Sequence, residues 1–146
     1  MSEANHERAL LQRLAAGPVG GDVLAREQGL TRAAVWKRID ALRTAGIAIA
    51  ASPGRGYRLE QPLDLLAADA IRAAMRKPAC TQLASLEVAW SLDSTNSELL
   101  RRETSMRGCD VLLAERQSGG RGRRGRAWAS PLAAHVYLSV ARRFEG

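Results

Sequence analysis

The 146-residue sequence is poor in the residue types on which several classes of protein depend. Its two cysteines, Cys80 and Cys109, are too few for a disulfide scaffold and lack metal-ligand spacing, which favours a reducing cytoplasm. Its two histidines, His6 and His135, lie too far apart to predict a metal site or a catalytic triad. No apolar run approaches the ~18 residues of a membrane span, and residues 1–7 do not resemble a secretory signal. The sequence therefore predicts a cytoplasmic protein without a membrane segment or a protein-bound metal ion.

Lysine is equally scarce, since Lys37 and Lys77 are the only two among 22 basic residues. The formal net charge is +7, and five of these charges come from one stretch of eleven residues without an acid: Arg116, Arg121, Arg123, Arg124 and Arg126. A codon bias would explain arginine in place of lysine, but not the clustering. The cluster therefore indicates an anionic partner, such as nucleic acid or phosphate.

The first sixty residues have the pattern of a winged helix-turn-helix. Three helices are predicted, each bounded by glycine or by a capping residue, over residues 7–15, 21–28 and 32–45. Val23, Leu24 and Ala25 are expected to face inward on the second helix, Gly29 to end it, and Thr31 to cap the third. Two short strands around the turn residues 52–56 follow, and they predict the wing.

The third helix combines a core face with an exposed stripe that carries an unusual Trp36. In a DNA-binding protein this helix would lie in the major groove, with basic side chains on phosphates or base edges. The alternative is a solvated helix whose tryptophan packs against a neighbouring domain. The candidate DNA-binding residues are Arg32, Trp36, Lys37, Arg43 and, at the wing tip, Arg55.

The remaining sequence mixes helices and strands, which predicts an α+β fold. Five elements are expected: a helix over 65–75 ended by Lys77-Pro78, a strand over 86–92, a helix from a capping box at 95–98, a strand over 110–117, and a strand over 135–140 with alternating Val136, Leu138 and Val140. Between the last two strands lies a loop rich in glycine and arginine, residues 118–127.

Residues 119–126, Gly-Gly-Arg-Gly-Arg-Arg-Gly-Arg, allow close backbone approach and supply cations for a phosphate. The segment is not a P-loop, because no Gly-Lys-Ser/Thr follows. An Arg/Gly tract could also be a disordered RNA-binding segment. A loop anchored by strands at both ends, however, is better suited to fold over a small anionic ligand.

Three segments closely resemble the bacterial biotin–protein ligases: Ser-Leu-Asp-Ser-Thr-Asn at 91–96, the loop region 114–128, and Ser-Pro-Leu-Ala-Ala-His-Val-Tyr-Leu-Ser at 130–139. Residues 31–39 and 53–57 are similar to the bifunctional subclass, which also represses the biotin operon. The resemblance implies a winged helix-turn-helix followed by the first part of a biotin/lipoate-ligase catalytic domain.

The resemblance also implies the ligands and their sites. Such enzymes activate biotin with ATP, accompanied by Mg²⁺, to biotinyl-5′-AMP, and pass biotin to a lysine of a carboxyl carrier protein. Biotin contacts are implied for Ser94, Thr95, Asn96, Gln117, Arg121, Gly122 and Arg123. Within this set Arg121 and Arg123 are the candidate catalytic residues, and Trp128 is implied on the adenylate side. Operator DNA and a homodimeric full-length protein are the further partners implied.

The division expected along the chain is a DNA-binding domain over 1–62, a linker and helix over 63–84, and an incomplete catalytic domain over 85–146. The family's Lys-Trp-Pro-Asn-Asp motif is absent from the sequence. These 146 residues alone are therefore expected to be inactive in adenylation, and a non-catalytic DNA-binding regulator is the alternative.

Overall fold

The computed structural model describes residues 3–126 and 128–144, without the side chains of Glu3 and Arg123. It divides into two compact units, Met1–Asp64 and Leu65–Gly146. The predicted α+β fold is confirmed, and the described helices and strands are α1 (Glu3–Ala15), α2 (Gly21–Glu27), α3 (Arg32–Thr44), β1 (Ile49–Ser52), β2 (Gly56–Leu59), α4 (Ala68–Ala74), α5 (Lys77–Thr81), β3 (Leu83–Ala89), α6 (Thr95–Arg101), β4 (Cys109–Ala114) and β5 (Tyr137–Arg142). None of the helices in these ranges is long and apolar enough to cross a lipid bilayer.

The first unit is a three-helix core followed by a hairpin. Its buried residues recur at helical spacing: Leu10, Leu11, Leu14, Leu24, Val35, Ile39 and Leu42. As predicted, Gly29 ends α2 in the left-handed region (φ +63°). The N–H of Leu30 donates to the carbonyl of Ala25 at 2.8 Å, which completes the helix end. Thr31 caps α3 by accepting a 3.1 Å hydrogen bond from the N–H of Ala34.

The inward placement predicted for Val23 is wrong, because its side chain is 37% exposed. Leu24 and Ala25 occupy the buried face of α2 instead. Successive residues of a helix are about 100° apart, so the narrow face of this seven-residue helix cannot hold all three side chains.

The hairpin confirms the predicted wing. Strands β1 and β2 pair antiparallel, and the N–H of Arg55 donates to the carbonyl of Ser52 across the turn at 3.1 Å. Gly54 follows Pro53 as the third residue of the turn, and its φ of +74° suits that position. Val19 exchanges two 2.9 Å backbone hydrogen bonds with Tyr57 and so extends the hairpin, a pairing that sequence periodicity did not predict.

The second unit is built on a three-stranded sheet in the order β3-β4-β5. The central strand β4 is parallel to β3 and antiparallel to β5. The crossover between the parallel strands contains α6, which contributes the buried Leu99 to this unit. The parallel pair matters for function because its two carboxyl ends lie side by side.

Several boundaries in this unit differ from the prediction. Strand β3 lies three residues earlier than expected, and α4 begins at Ala68. Pro78 does not end a helix but lies in the first turn of α5, where the missing N–H costs no hydrogen bond. The cap of α6 is Ser94 rather than Thr95, since the Ser94 hydroxyl accepts from the N–H of Ser97 at 3.3 Å.

Strand β5 buries the face opposite to its apolar stripe. Tyr137 is buried and Ser139 is half-buried beside α6, whereas Val136, Leu138 and Val140 are 50–69% exposed. The alternating hydrophobic pattern correctly indicated a strand, but not which of its faces α6 covers.

Candidate functional site

The exposed stripe of α3 contains two side chains that are available to a partner and one that is paired. Trp36 is 56% exposed and Lys37 is also exposed. Arg32 is exposed too, but its Nε lies 3.0 Å from the Asp22 carboxylate at the start of α2. An exposed ion pair of this kind contributes little to stability and can open when a phosphate competes for the guanidinium.

Arg43 has a different environment from the rest of the stripe. Its Nε and Nη2 both donate to the backbone carbonyl of Ile49, at 2.9 and 2.8 Å. This side chain therefore ties the end of α3 to the first strand of the wing.

A groove of about 530 Å³ lies between the start of α2 and the wing turn. Its walls include the backbone of Gly20, Gly21 and Gly54 together with Asp22 and Arg32. Exposed Arg55 follows Gly54 in the same turn. Glycine backbone and guanidinium groups of this kind can approach a nucleic-acid backbone closely.

In the second unit, the segments that follow β3 and β4 continue side by side beyond the sheet. The N–H groups of Ser118 and Gly119 donate to the carbonyls of Leu92 and Asp93, at 2.8 and 2.7 Å. The strand–helix junction and the Gly/Arg loop, distant in sequence, are therefore joined at the carboxyl ends of two parallel strands. Ligands commonly bind at such edges of α/β sheets.

Thr95 is the centre of this junction and is only 3% exposed. Its backbone N–H donates to Gln117 Oε1 at 2.7 Å, and its hydroxyl lies 3.1 Å from the same oxygen. The Thr95 hydroxyl also lies 2.9 Å from Ser139 Oγ on β5. Asn96, by contrast, is exposed at the start of α6.

Two glycines of the loop, Gly119 and Gly120, stand where a side chain would not fit freely. A Cβ on Gly119 would lie 3.3 Å from the carbonyl oxygen of Asp93. A Cβ on Gly120 would lie 3.4 Å from three atoms: Gln117 Nε2, Ser130 Oγ and Trp128 Cβ. Ser130 Oγ is buried and has no hydrogen-bond partner among the described residues. Gly120 therefore leaves a small space that is bordered by polar groups.

The side chains of Arg121, Arg124 and Arg126 project into solvent from the loop. None of the three forms an ion pair with a residue that the structure describes. Trp128 is 58% exposed, and its N–H donates to the carbonyl of Gly120 at 3.3 Å. The Arg123 side chain lies outside the described part of the chain. The loop thus presents at least three unpaired cations.

An ion pair braces the same junction from outside. Arg101 on α6 donates two hydrogen bonds to the Asp93 carboxylate, at 2.8 and 2.9 Å. These bonds, and a further one from the backbone of Ser94, hold the pKa of Asp93 well below its usual range. Asp93 is therefore an ionised bracing residue and not a proton donor.

Among residues 3–126 and 128–144, no three His, Cys, Asp or Glu side chains are grouped as metal ligands. The chemistry of this site comes instead from hydroxyl, amide, backbone and guanidinium groups.

Comparison with known families agrees with the division of the chain into two compact units. Residues 6–58 match the model of an HTH domain, and residues 88–145 match that of the biotin/lipoate A/B protein ligase family. This chain joins a segment that matches an HTH domain to a segment that matches the biotin/lipoate A/B protein ligase family. The ligase match includes the strand–helix junction, the Gly/Arg loop and β5.

Two curated relatives match most of this chain, and a third matches a shorter part of it. The bifunctional ligase/repressor BirA of Salmonella typhimurium is 38% identical over 146 residues, which cover 99% of this chain and 44% of the relative. The protein of the same name from Escherichia coli is 40% identical over 125 residues, or 86% of this chain and 37% of the relative. A biotin–[acetyl-CoA-carboxylase] ligase from Mycobacterium tuberculosis is 47% identical over 57 residues, or 38% of this chain and 21% of the relative. The chain thus spans less than half the length of each of these relatives.

The structure brings together some candidate residues and adds others. Ser94, Thr95 and Gln117 meet at the junction, whereas Asn96, Arg121, Arg124 and Arg126 are exposed. Ser130 and Ser139 are the first and last residues of the family-like segment 130–139, but neither was predicted as a site residue, because no local pattern marks either side chain. Their positions depend on the pairing of β5 with β4 and on the path of the loop.

Proposed function

We propose that the chain is the DNA-binding region and the first part of the catalytic domain of a biotin–protein ligase that also represses biotin synthesis. Residues 1–62 would bind DNA, 63–84 would connect, and 85–146 would supply one side of the biotin and adenylate site. In the complete reaction the biotin carboxylate attacks the α-phosphorus of ATP and releases pyrophosphate. The lysine amine of a carrier protein then attacks the acyl carbon of biotinyl-5′-AMP and releases AMP.

The observation that carries this proposal is the pair of hydrogen bonds between Thr95 and Gln117. They join the Ser-Thr-Asn segment to the Gly/Arg loop, which supports one shared site for the two motifs implied for biotin. The ureido group of biotin has two N–H donors and one carbonyl acceptor. The hydroxyls of Ser94 and Thr95 and the amide of Gln117 are compact groups of matching polarity. Asn96, on the exposed side of α6, would have to be reached by the ligand or by a closing segment.

The loop would supply the electrostatic part of the reaction. Attack of a carboxylate on a phosphate brings two anions together, and positioned cations lower that cost. We assign this role to Arg121 and Arg123. Gly122 has no side chain and would let the ligand approach the backbone closely. Mg²⁺ would accompany ATP. Exposed Trp128 would pack on the adenylate once the loop closes, which would also exclude water from the mixed anhydride.

The first unit would bind operator DNA with α3 and the wing. Arg32, Trp36, Lys37 and Arg55 are exposed and could contact DNA directly. Arg43 would contribute through the wing that it holds. The carrier protein would be the second macromolecular partner, and the full-length protein would form a homodimer.

These 146 residues are not expected to form biotinyl-5′-AMP by themselves. Their only lysines, Lys37 and Lys77, lie on α3 and α5, away from the Thr95 site in sequence and motif. Binding of biotin is therefore a sharper test than turnover.

The test is titration of the 146-residue protein with biotin in a calorimeter, using Gln117→Ala and a matched Gln61→Ala variant. Gln61 is exposed and lies in the first unit. Loss of the Gln117 amide is expected to weaken binding roughly tenfold or more, because it removes hydrogen bonds inside the site. Gln61→Ala should bind like the unchanged protein. Equal affinity of all three proteins would refute the assigned site.

A second candidate function, a DNA-binding regulator without catalysis, is favoured by the complete helix-turn-helix and wing within one compact unit. The two candidates differ in their response to ligand. A regulator that does not use biotin would bind DNA with the same affinity at all biotin concentrations and would show no heat of biotin binding.

A further inference from the structure

Ser139 forms a side-chain hydrogen bond that links β5 to the junction at Thr95. Its Oγ lies 2.9 Å from Thr95 Oγ1, and Thr95 Oγ1 lies 3.1 Å from Gln117 Oε1. Thr95 is 3% exposed, and the other two residues are half-buried. Three elements that are distant in the sequence thus meet in one chain of hydrogen bonds.

The direction of each hydrogen bond follows from the donors present. The backbone N–H of Thr95 can only donate, so the Gln117 atom 2.7 Å away must be the carbonyl oxygen Oε1. The Thr95 hydroxyl has one proton, and Oε1 can only accept, so that proton points at Gln117. Ser139 must therefore donate to Thr95.

This order determines which end of Gln117 remains available. Its oxygen receives both bonds from Thr95, so its Nε2 points the other way, toward the space left by Gly120 and bordered by Ser130 Oγ. Without Ser139 the Thr95 hydroxyl could rotate away, and the amide would lose one of the two bonds that fix it.

We infer that Ser139 is a positioning residue of the ligand site: through Thr95 it orients Gln117 so that the amide nitrogen is presented as a donor to a carbonyl or other acceptor of the ligand. The inference rests on the proposed function for the identity of that ligand as biotin. The hydrogen-bond chain itself can be observed without any ligand.

The first measurement is the NMR spectrum of the ligand-free 146-residue protein, in which the side-chain amide protons of Gln117 are resolved. Ser139→Ala should shift these resonances and speed their exchange, whereas Ser139→Thr, which keeps the hydroxyl, should restore them. Ser91→Ala, on the exposed segment after β3, is the matched control and should leave them unchanged. Gln117 resonances that are identical in Ser139→Ala and the unchanged protein would overturn the inference, whatever biotin does.

The second measurement is a double-mutant cycle on biotin affinity. Ser139→Ala is expected to weaken binding several-fold in the unchanged protein and to have no further effect in Gln117→Ala, because Ser139 acts through that amide. Equal losses in both backgrounds would instead show an independent contact and overturn the positioning role. If the unchanged protein binds no biotin while the Gln117 resonances respond to Ser139→Ala, the proposed function fails and the hydrogen-bond chain stands.

Discussion

Two glycines of the wing differ in what surrounds them, although their backbones are alike. Gly54 and Gly56 have φ values of +74° and +76°. A Cβ on Gly54 would meet open space, whereas a Cβ on Gly56 would overlap the carbonyl oxygen of Val19. Of these two glycines, only Gly56 therefore combines the left-handed backbone with a close approach, at the point where Val19 pairs with Tyr57.

Alanine substitutions should separate the destabilisation caused by the left-handed backbone from that caused by the close approach of Val19. Gly54→Ala should lower the free energy of unfolding by about 1–2 kcal/mol, the cost of a left-handed alanine. Gly56→Ala should lower it by roughly 3 kcal/mol or more, because overpacking against backbone is added. Urea denaturation measures both values. Similar losses in the two variants would contradict the close approach of Val19.

Asp110 is a nearly buried carboxylate whose stabilising effect should depend on pH. The N–H and hydroxyl of Ser105 and the hydroxyl of Ser85 donate to it, at 2.7–2.8 Å. These bonds lower the pKa of Asp110 from its ordinary 3.8. A lowered pKa in the folded state means that the carboxylate stabilises the fold above pH 3.8. That contribution is lost as the pH falls through the folded-state pKa.

Asp110→Asn should therefore lower the free energy of unfolding at pH 7 by about 1–3 kcal/mol. The difference from the unchanged protein should shrink below pH 3.8. Thermal unfolding followed from pH 7 down to pH 2.5 would measure it. Asp40→Asn, at an exposed position on α3, is the control and should show a small difference at every pH. A difference for Asp110→Asn that did not vary with pH would count against the ionised hydrogen-bonded state.

At the scale of secondary-structure elements, the main finding is that α3 and the wing are tied together. The guanidinium of Arg43 donates twice to Ile49 at the start of β1. A wing held in this way keeps Arg55 at a fixed distance from the exposed stripe of α3. The position of Arg43 on that stripe suggested a DNA contact, but its hydrogen bonds indicate a supporting role.

Salt titrations of DNA binding should distinguish the two roles. Arg55→Ala should reduce the slope of log K against log salt by about one, because one phosphate contact is lost. Arg43→Ala should weaken binding at all salt concentrations while the slope remains that of the unchanged protein. Fluorescence anisotropy with a labelled duplex measures both. A reduced slope for Arg43→Ala would instead show that Arg43 contacts a phosphate directly.

The elements whose signals are local could be predicted from the sequence, and those that depend on packing could not. The Thr31 cap, the Gly29 helix end and the wing turn were correctly predicted, because each depends on neighbouring backbone groups. The buried face of β5 was not, since α6 decides it. The motif segments that contribute to the candidate site were found. Ser139 ends one of them, but it was not predicted as a site residue because its contact with Thr95 spans 44 residues of sequence.

At the scale of the whole molecule, each of the two compact units is proposed to have its own function: DNA binding for the first and ligand binding for the second. Residues 6–58 match an HTH domain, and residues 88–145 match the ligase family, on either side of the division at Asp64. A ligand of the second unit should therefore stabilise the backbone around its own contacts first.

Hydrogen exchange followed by mass spectrometry should show this directly. Saturating biotin is expected to slow exchange in peptides that contain Thr95, residues 117–126 and Ser139, because hydrogen bonds there are ordered by the ligand. An operator-length duplex should instead protect peptides from α3 and the wing. If biotin instead protected the wing and left the exchange at Thr95 unchanged, biotin would bind the first unit, which would contradict the proposed site.

The three tryptophans lie in three different environments, and this gives the protein its own optical probes. Trp36 is 56% exposed on α3, Trp90 is 9% exposed after β3, and Trp128 is 58% exposed beside Gly120. Keeping one indole and replacing the other two with phenylalanine would yield proteins whose emission reports a single event. The long-wavelength emission of Trp36 would report contact with a duplex, and that of Trp128 would report closure of the loop. The blue-shifted emission of Trp90 would report melting of the sheet, so a fluorimeter alone could order these events in time.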